Sequence, residues 1–174
     1  MTIIALSALN TMPAEDAVAL LGGVFEHSPW IVAETWSEAP FASVDDLHHA
    51  LVATVNTAPV ERQLALIRAH PDLVGRAARD GTLTRESTAE QRAAGLGADD
   101  LTDEDRVAFA NLNAAYQSRF AFPFVICARE NKKASILAGF VARLPNDPAT
   151  ERDTALKEIA RIAWFRLRDL VHDT

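Results

Sequence analysis

The segment that decides the fold is Thr150-Glu151-Arg152-Asp153-Thr154-Ala155-Leu156-Lys157-Glu158-Ile159-Ala160-Arg161-Ile162-Ala163-Trp164-Phe165-Arg166-Leu167-Arg168-Asp169-Leu170-Val171. At about 100° per residue, with Ile159 as zero, Leu156, Ile162, Ala163, Leu167 and Leu170 fall between about −60° and +80°. Lys157, Arg161 and Arg168 lie on the opposite side. One apolar stripe over that length predicts a single long helix, Thr150 to Val171. Arg166 lands at about −20°, in the middle of the stripe. A guanidinium keeps its charge, so on an inward face it requires a carboxylate, a carbonyl or a ligand anion. Trp164 and Phe165 point away from the stripe and are candidates for a subunit contact, although singly exposed aromatics are common.

Working outward, helix punctuation is dense and strand alternation is nearly absent. Thr11-Met12-Pro13-Ala14-Glu15 reads as a cap, an early proline and first-turn acids, opening a helix that runs to Gly22-Gly23. Ser28-Pro29 sets Ser as N-cap and Pro at the first position of a short helix. Ser43 caps a third helix with Val44, Leu47, Leu51 and Val55 at helical spacing. Pro59 opens a fourth with Val60, Leu64 and Ile67 inward, ending near Ala69 because Pro71 pushes His70 out of the α region. Residues 70–97 are irregular, with a short helix expected around Thr88 to Ala94. Thr102-Asp103-Glu104-Asp105 starts a long helix carrying Phe109, Leu112 and Tyr116 on one side. Phe122-Pro123-Phe124-Val125-Ile126-Cys127 reads either as a buried strand or as an extended link. Another helix spans Ala134 to Leu144. The expected architecture is all-α: a single domain over residues 1–174, an irregular bundle of about eight or nine helices.

Composition agrees. A chain of 174 residues is the length of one domain. Hydrophobic residues are 49%, charged residues 24%, and mean hydropathy is +0.01, a globular rather than disordered balance. The net charge of −7, with no basic run, argues against nucleic acid as a partner. A single cysteine, Cys127, excludes an internal disulfide framework and a Cys-based zinc site, and its apolar neighbours read it as a buried hydrophobe. No stretch reaches the length of a membrane span. The amino terminus, Met1-Thr2-Ile3-Ile4-Ala5-Leu6, lacks a basic leader region, and a cytoplasmic protein is expected. No phosphate loop, nucleophile elbow or His-Glu-x-x-His pair is present, and adjacent His48-His49 cannot share a helix face as metal ligands. His172 stands near a terminus expected to fray.

Three places could carry chemistry. His70, just past a helix end and stiffened by Pro71, suits proton transfer at neutral pH; equally, it suits a histidine that satisfies the last carbonyls of its helix. Ser87-Thr88-Ala89-Glu90-Gln91 has the form of a capping box, Ser87 bonding the third amide and Glu90 reaching back. The same helix start also offers amides to an anion. Arg166 is the third.

Taken together, Phe25-Glu26-His27-Ser28-Pro29-Trp30, His70-Pro71-Asp72-Leu73, Ser87-x-x-Glu90-Gln91-x-x-Ala94-Gly95-Leu96 and Phe122-Pro123-Phe124-Val125-Ile126 closely resemble the OHCU decarboxylase family, in order and over nearly the whole chain. The Glu158-Ile159…Arg166-Leu167 helix matches too, whereas Arg129-Glu130-Asn131 departs from the expected Arg-Gly pairing. The resemblance implies an all-helical, cofactor-free and usually homodimeric carboxy-lyase. Its substrate would be 2-oxo-4-hydroxy-4-carboxy-5-ureidoimidazoline (OHCU) and its product (S)-allantoin, in urate degradation. It places the essential histidine on His70 and the active-site glutamate on Glu90. Substrate contacts fall on Pro71, Ser87, Gln91 and Arg166, with backbone groups near Phe124 and Val125, and no metal is implied. On this reading the protein supplies orientation, partial desolvation of the carboxylate and protonation from one face. Two rivals stand beside it: a related helical enzyme for another ureido or imidazoline acid, told apart by a neighbouring urate-pathway gene, and a non-enzymatic ligand-binding module, told apart by racemic product.

Overall fold

Prolines and polar caps set the helix starts. The computed structural model describes residues 3–174; Met1 and Thr2, on which the expectation of no basic leader region falls in part, lie outside the described residues, as does the side chain of Arg79. In chain order the elements are β1 (Ile4–Ala5), α1 (Leu6–Leu9), α2 (Ala14–Leu21), α3 (Trp30–Thr35), α4 (Val44–Thr57), α5 (Val60–Ala69), α6 (Arg76–Arg79), α7 (Arg85–Ala93), α8 (Asp103–Phe120), α9 (Lys133–Arg143), α10 (Pro148–Arg168) and β2 (Val171–His172). The protein is all-α. Ten α-helices stand among the described residues rather than eight or nine, the difference being the one-turn α1 and α6. The described residues up to Ala69 together with Ala160–Thr174 make one compact unit, and His70–Ile159 make a second.

In the first unit, α4 follows its sequence pattern. Ser43 Oγ accepts from the Asp46 amide at 3.0 Å, and Val44, Leu47, Leu51 and Val55 are buried. Other expectations shift. Thr11 does not cap α2: its hydroxyl donates to the Ala8 carbonyl, and Pro13 precedes the helix. On α5 the buried residues are Gln63, Leu66 and Ile67, while Val60 is 46% exposed and Leu64 half-buried. Gln63 turns inward because its amide nitrogen donates to the Val55 and Asn56 carbonyls at 3.0 and 3.1 Å, satisfying the end of α4.

The carboxy-terminal helix stops at Arg168, three residues short of Val171. Val171 and His172 instead pair in parallel with Ile4 and Ala5, and Asp173 Oδ1 accepts from the Val44 amide at 2.7 Å. The end expected to fray is thereby tied down. Trp164 is half-buried against its own chain: His48 meets it edge-on at 5.2 Å, and the Arg168 guanidinium lies 5.3 Å from its ring. His48 Nε2 lies 2.8 Å from the Ala160 carbonyl, and burial lowers the pKa of His48.

In the second unit, α8 begins at a reciprocal box. Thr102 Oγ1 accepts from the Asp105 amide, and Asp105 Oδ2 accepts from the Thr102 amide. Phe109, Asn113, Tyr116 and Phe120 are its buried residues, with Leu112 half-buried. Phe124 stacks on Phe140 at 3.8 Å, and Tyr116 sets its edge against both at 5.2 and 6.0 Å. Each such pair adds about 0.5–1.5 kcal/mol beyond its buried area. Residues 122–127 form an extended link, not a strand. Side chains take the place of a strand neighbour: Val125 O accepts from Arg143 Nη1 at 2.7 Å, the Cys127 amide donates to Glu158 Oε2 at 2.8 Å, and Cys127 O accepts from Asn131 Nδ2 at 3.0 Å. Asp147 starts α10 by accepting from the Ala149 and Thr150 amides, both at 3.0 Å, with Pro148 at the first helical position.

Candidate functional site

The candidate site is built on α7. Its N-cap is Thr84, whose hydroxyl accepts from the Ser87 amide at 3.2 Å, so the capping box expected at Ser87 and Glu90 does not form. The helix starts at Arg85 instead of Thr88. This shift puts Ser87 inside the first turn and leaves Ser87, Glu90 and Gln91 at i, i+3 and i+4 on one face. They are 5%, 7% and 5% exposed. A buried helix face composed of a hydroxyl, a carboxyl and an amide demands polar partners.

One neighbour of that face is the loop after α5. His70 is 7% exposed and its Nε2 is buried, so the imidazole is not turned to solvent. Pro71 is half-buried beside it. The loop is pinned along its length. The Val74 amide donates to Gln91 Oε1 at 3.2 Å, Asn113 Nδ2 donates to the Leu73 carbonyl at 2.9 Å, and Gln117 Nε2 donates to both carboxylate oxygens of Asp72. Val74 sits at φ +55°, a conformation rare for a β-branched residue and tolerated only where surrounding contacts fix it. At Gly75 a Cβ would lie 2.5 Å from the Asp72 Cβ, so glycine is required for the chain to turn there. A cavity of about 420 Å³ opens beside Asp72, Gly75 and α8 residues Arg106, Asn113 and Gln117, and none of the candidate catalytic or substrate-contact residues lines it.

The other neighbour is the stretch 124–133. Phe124 and Val125 are 1% and 4% exposed. Arg129 Nε lies 3.8 Å from Glu90 Oε1, an ion-pair distance too long for a hydrogen bond. Lys132 Nζ donates to the Ala93 carbonyl and the Lys133 amide to the Ala94 carbonyl, satisfying the end of α7. His70, Pro71, Ser87, Glu90, Gln91, Phe124 and Val125 therefore all belong to the second unit, with α7 hydrogen-bonded to the loop through Gln91 and to the stretch through its Ala93 carbonyl, and with Glu90 at ion-pair distance from Arg129.

Arg166 belongs to the first unit. Its Nη1 donates to Glu26 Oε2 at 2.7 Å, with the Gly23 carbonyl at 3.4 Å, and the two side chains are 3% and 2% exposed. Of the alternatives left open by the helical stripe, an internal carboxylate is present. Sequence reasoning missed Arg129 beside Glu90 and Arg143 on the Val125 carbonyl. Arg143 stands three residues after Phe140 and seven after Ile136, on the buried face of α9, so the signal that marked Arg166 was present there too; for Arg129 the hint was the departure of residues 129–131 from the expected pairing.

Cys127 is buried, and burial pushes its thiol up to about 11. A raised thiol pKa adds stability that is complete below the ordinary value near 8.5 and is lost as pH rises toward 11. At pH 8 a disulfide reagent is expected to label the folded protein on the order of 10²-fold more slowly than the urea-unfolded chain. Equal labelling rates would show the thiol to be accessible and ionisable.

A profile of the OHCU decarboxylase family matches residues 10–168. The chain is 42% identical over 163 residues to the 2-oxo-4-hydroxy-4-carboxy-5-ureidoimidazoline decarboxylase of Amia calva, covering 94% of this chain and 92% of that one. It is 39% identical to the Mus musculus protein of the same name, covering 94% and 90%. Among solved structures, the crystal structure of (S)-allantoin synthase superposes with a TM-score of 0.74 at 28% identity, over 95% of this chain and 53% of that chain, about half its length. A crystal structure of OHCU decarboxylase in the presence of (S)-allantoin gives a TM-score of 0.67 at 19% identity, covering 91% and 97%, a likeness of fold.

Proposed function

The chain belongs to the OHCU decarboxylase family, carboxy-lyases of urate degradation, and we propose that it converts OHCU to (S)-allantoin and carbon dioxide without metal or organic cofactor. The observation that carries this reading is the buried polar face of α7, Ser87, Glu90 and Gln91, bonded to the His70 loop through Gln91 and Val74. Such a face has the donors and acceptors for a small heterocycle rich in N–H and carbonyl groups, and it lacks the apolar lining an inert core would have.

The substrate's own structure supplies the electron sink. C4 carries a hydroxyl and a carboxylate, and the ring double bond lies at C5. When the bond from C4 to the carboxylate breaks, its electron pair enters the ring to form a C4–C5 double bond, and the imine nitrogen takes a proton. The enol formed then loses its hydroxyl proton to become a carbonyl, and C5 gains a proton. One proton is consumed overall and carbon dioxide leaves. No external sink is needed for that sequence, which is why cofactor independence follows from the substrate.

His70 takes the hydroxyl proton and returns one to C5 from a single face, which sets the S configuration. Glu90 holds ring or ureido N–H groups, or orients the imidazole. Gln91 and Ser87 grip ring or ureido polar atoms, while Pro71 shapes the wall beside the imidazole. Backbone groups at Phe124 and Val125 complete the contacts. Arg166 enters this reading as a substrate contact on the resemblance alone, as does the homodimer, and the cytoplasmic setting rests on the amino-terminal sequence. No helix among the described residues is long and apolar enough to cross a membrane. Burial of His70 and Glu90 supports the scheme, since proton transfer and charge stabilisation gain strength as water is excluded.

The test is direct. OHCU generated in place from urate by urate oxidase and hydroxyisourate hydrolase is mixed with the protein, and circular dichroism follows the allantoin formed. A growing (S)-allantoin signal above the uncatalysed rate is expected. A trace that stays racemic would support the ligand-binding alternative.

A further inference from the structure

We infer that Arg143 is a positioning residue for the reaction, holding Phe124 and Val125 in place from a buried cluster with Tyr116 and Glu151. The inference deepens the proposed function and rests on it, because Phe124 and Val125 matter here as substrate contacts.

The geometry is specific to a guanidinium. Arg143, the last residue of α9, donates from Nη1 to the Val125 carbonyl at 2.7 Å and from Nε to Glu151 Oε1 at 2.8 Å. Its Cζ lies 4.4 Å from the centre of the Phe124 ring. One planar group thus fixes the carbonyl of one residue in its plane and the ring of the preceding residue near its face. Glu151, fully buried near the start of α10, holds the guanidinium in turn. Its Oε2 accepts from Asn146 Nδ2 at 2.7 Å and its Oε1 from the Tyr116 hydroxyl, while Arg143 Nη2 lies 3.3 Å from that hydroxyl. Burial and the adjoining carboxylate push the Tyr116 phenol well above its usual range, so it stays a donor.

Stability alone does not account for this cluster. A buried ion pair is seldom more stabilising than apolar residues of the same volume, and the neighbouring core already holds Phe109, Phe120, Phe122 and Phe140. What the cluster adds is placement. Residues 122–127 have no strand neighbour among the described residues, so their backbone positions depend on side-chain partners. Gly139 completes the arrangement: a Cβ there would lie 3.3 Å from Phe124 Cζ. Misplacing a substrate contact by about 1 Å costs up to 10²-fold in rate.

The experiment compares the full-length wild type with Arg143→Lys, Arg143→Met and Glu151→Gln. It measures kcat, KM, the enantiomeric composition of the allantoin and the melting temperature, all on freshly generated OHCU. Arg143→Lys keeps the charge but loses the planar fork. It is expected to fold with wild-type helical content and to lose about 10- to 100-fold in kcat with KM within about threefold, and to yield a larger share of (R)-allantoin. Glu151→Gln keeps the shape and is expected to show the same pattern more weakly, which preserves the test if Arg143→Met does not fold. Folded variants whose kcat and stereochemical purity match wild type, with only the melting temperature lowered, overturn the positioning role while leaving the proposed function standing. A wild type that does not turn over OHCU removes both.

Discussion

Replacing His70 with asparagine is expected to reduce kcat for OHCU by about 10²–10⁴-fold, the range a positioned acid–base group contributes. That range corresponds to about 3–5.5 kcal/mol of barrier. Asparagine keeps a planar polar group on a short stem, so packing beside Pro71 changes little, but it has no proton to exchange at neutral pH. The loop itself is held elsewhere, by Gln91 on Val74, Asn113 on Leu73 and Gln117 on Asp72, so the melting temperature should stay close to that of wild type. Residual turnover should come from orientation and desolvation alone, and the allantoin formed should drift toward the racemate as C5 is protonated by water from either face. The measurement is single-turnover circular dichroism on fresh OHCU beside a thermal melt. Wild-type turnover with wild-type stereoselectivity would take the proton away from His70.

The elements most legible in the sequence were those whose signals are local. Ser43 and Thr102 mark helix starts because each cap needs only its own next turn. The stripe Leu156, Ile159, Ile162, Ala163 and Leu167 is buried as its periodicity requires, and Arg166 lies within it at 4% exposed. Local signals misled where two of them competed. Thr84 and Ser87 are both hydroxyl residues three apart, and the glutamate at the third position favours Ser87; the structure caps at Thr84 because Glu90 and Gln91 are committed to the interior. On α5 the apolar residues Val60 and Leu64 suggested one face, yet a polar residue, Gln63, was the one turned inward, since the end of α4 needed its donors. The long-range contacts were marked on one side at most: Arg166 and Arg143 each fall on an apolar helix face, which says that a partner is needed but not which one. Nothing near Val125 indicates that its carbonyl is met by Arg143, eighteen positions away, or that Glu151 lies behind it. The candidate site was therefore readable as a set of residue types, through ordered motifs, while its supporting shell was not.

Removing the carboxylate of Glu26 should produce a large loss of stability. Glu26→Ala leaves the Arg166 guanidinium buried without the acceptor it meets at 2.7 Å, and truncating one partner of a buried pair costs about 3–5 kcal/mol. For a chain of this length that is a fall of roughly 6–20 °C in melting temperature. The sign is set by asymmetry: the pair contributes little over an apolar replacement, but a lone buried charge is costly because arginine cannot release its proton. The double variant Glu26→Leu, Arg166→Met should consequently be more stable than Glu26→Ala and approach wild type. Urea titrations of the wild type, Glu26→Leu, Arg166→Met and their double give the coupling, and a double variant no more stable than Glu26→Ala would mean the two side chains do not act as a pair. The same double variant also separates structure from chemistry at Arg166. If it folds as wild type does and still turns over OHCU at the wild-type rate, Arg166 serves the fold and not the reaction. If it folds but loses turnover, the substrate contact suggested by the family resemblance is real, and the ion pair is what orients the guanidinium for it.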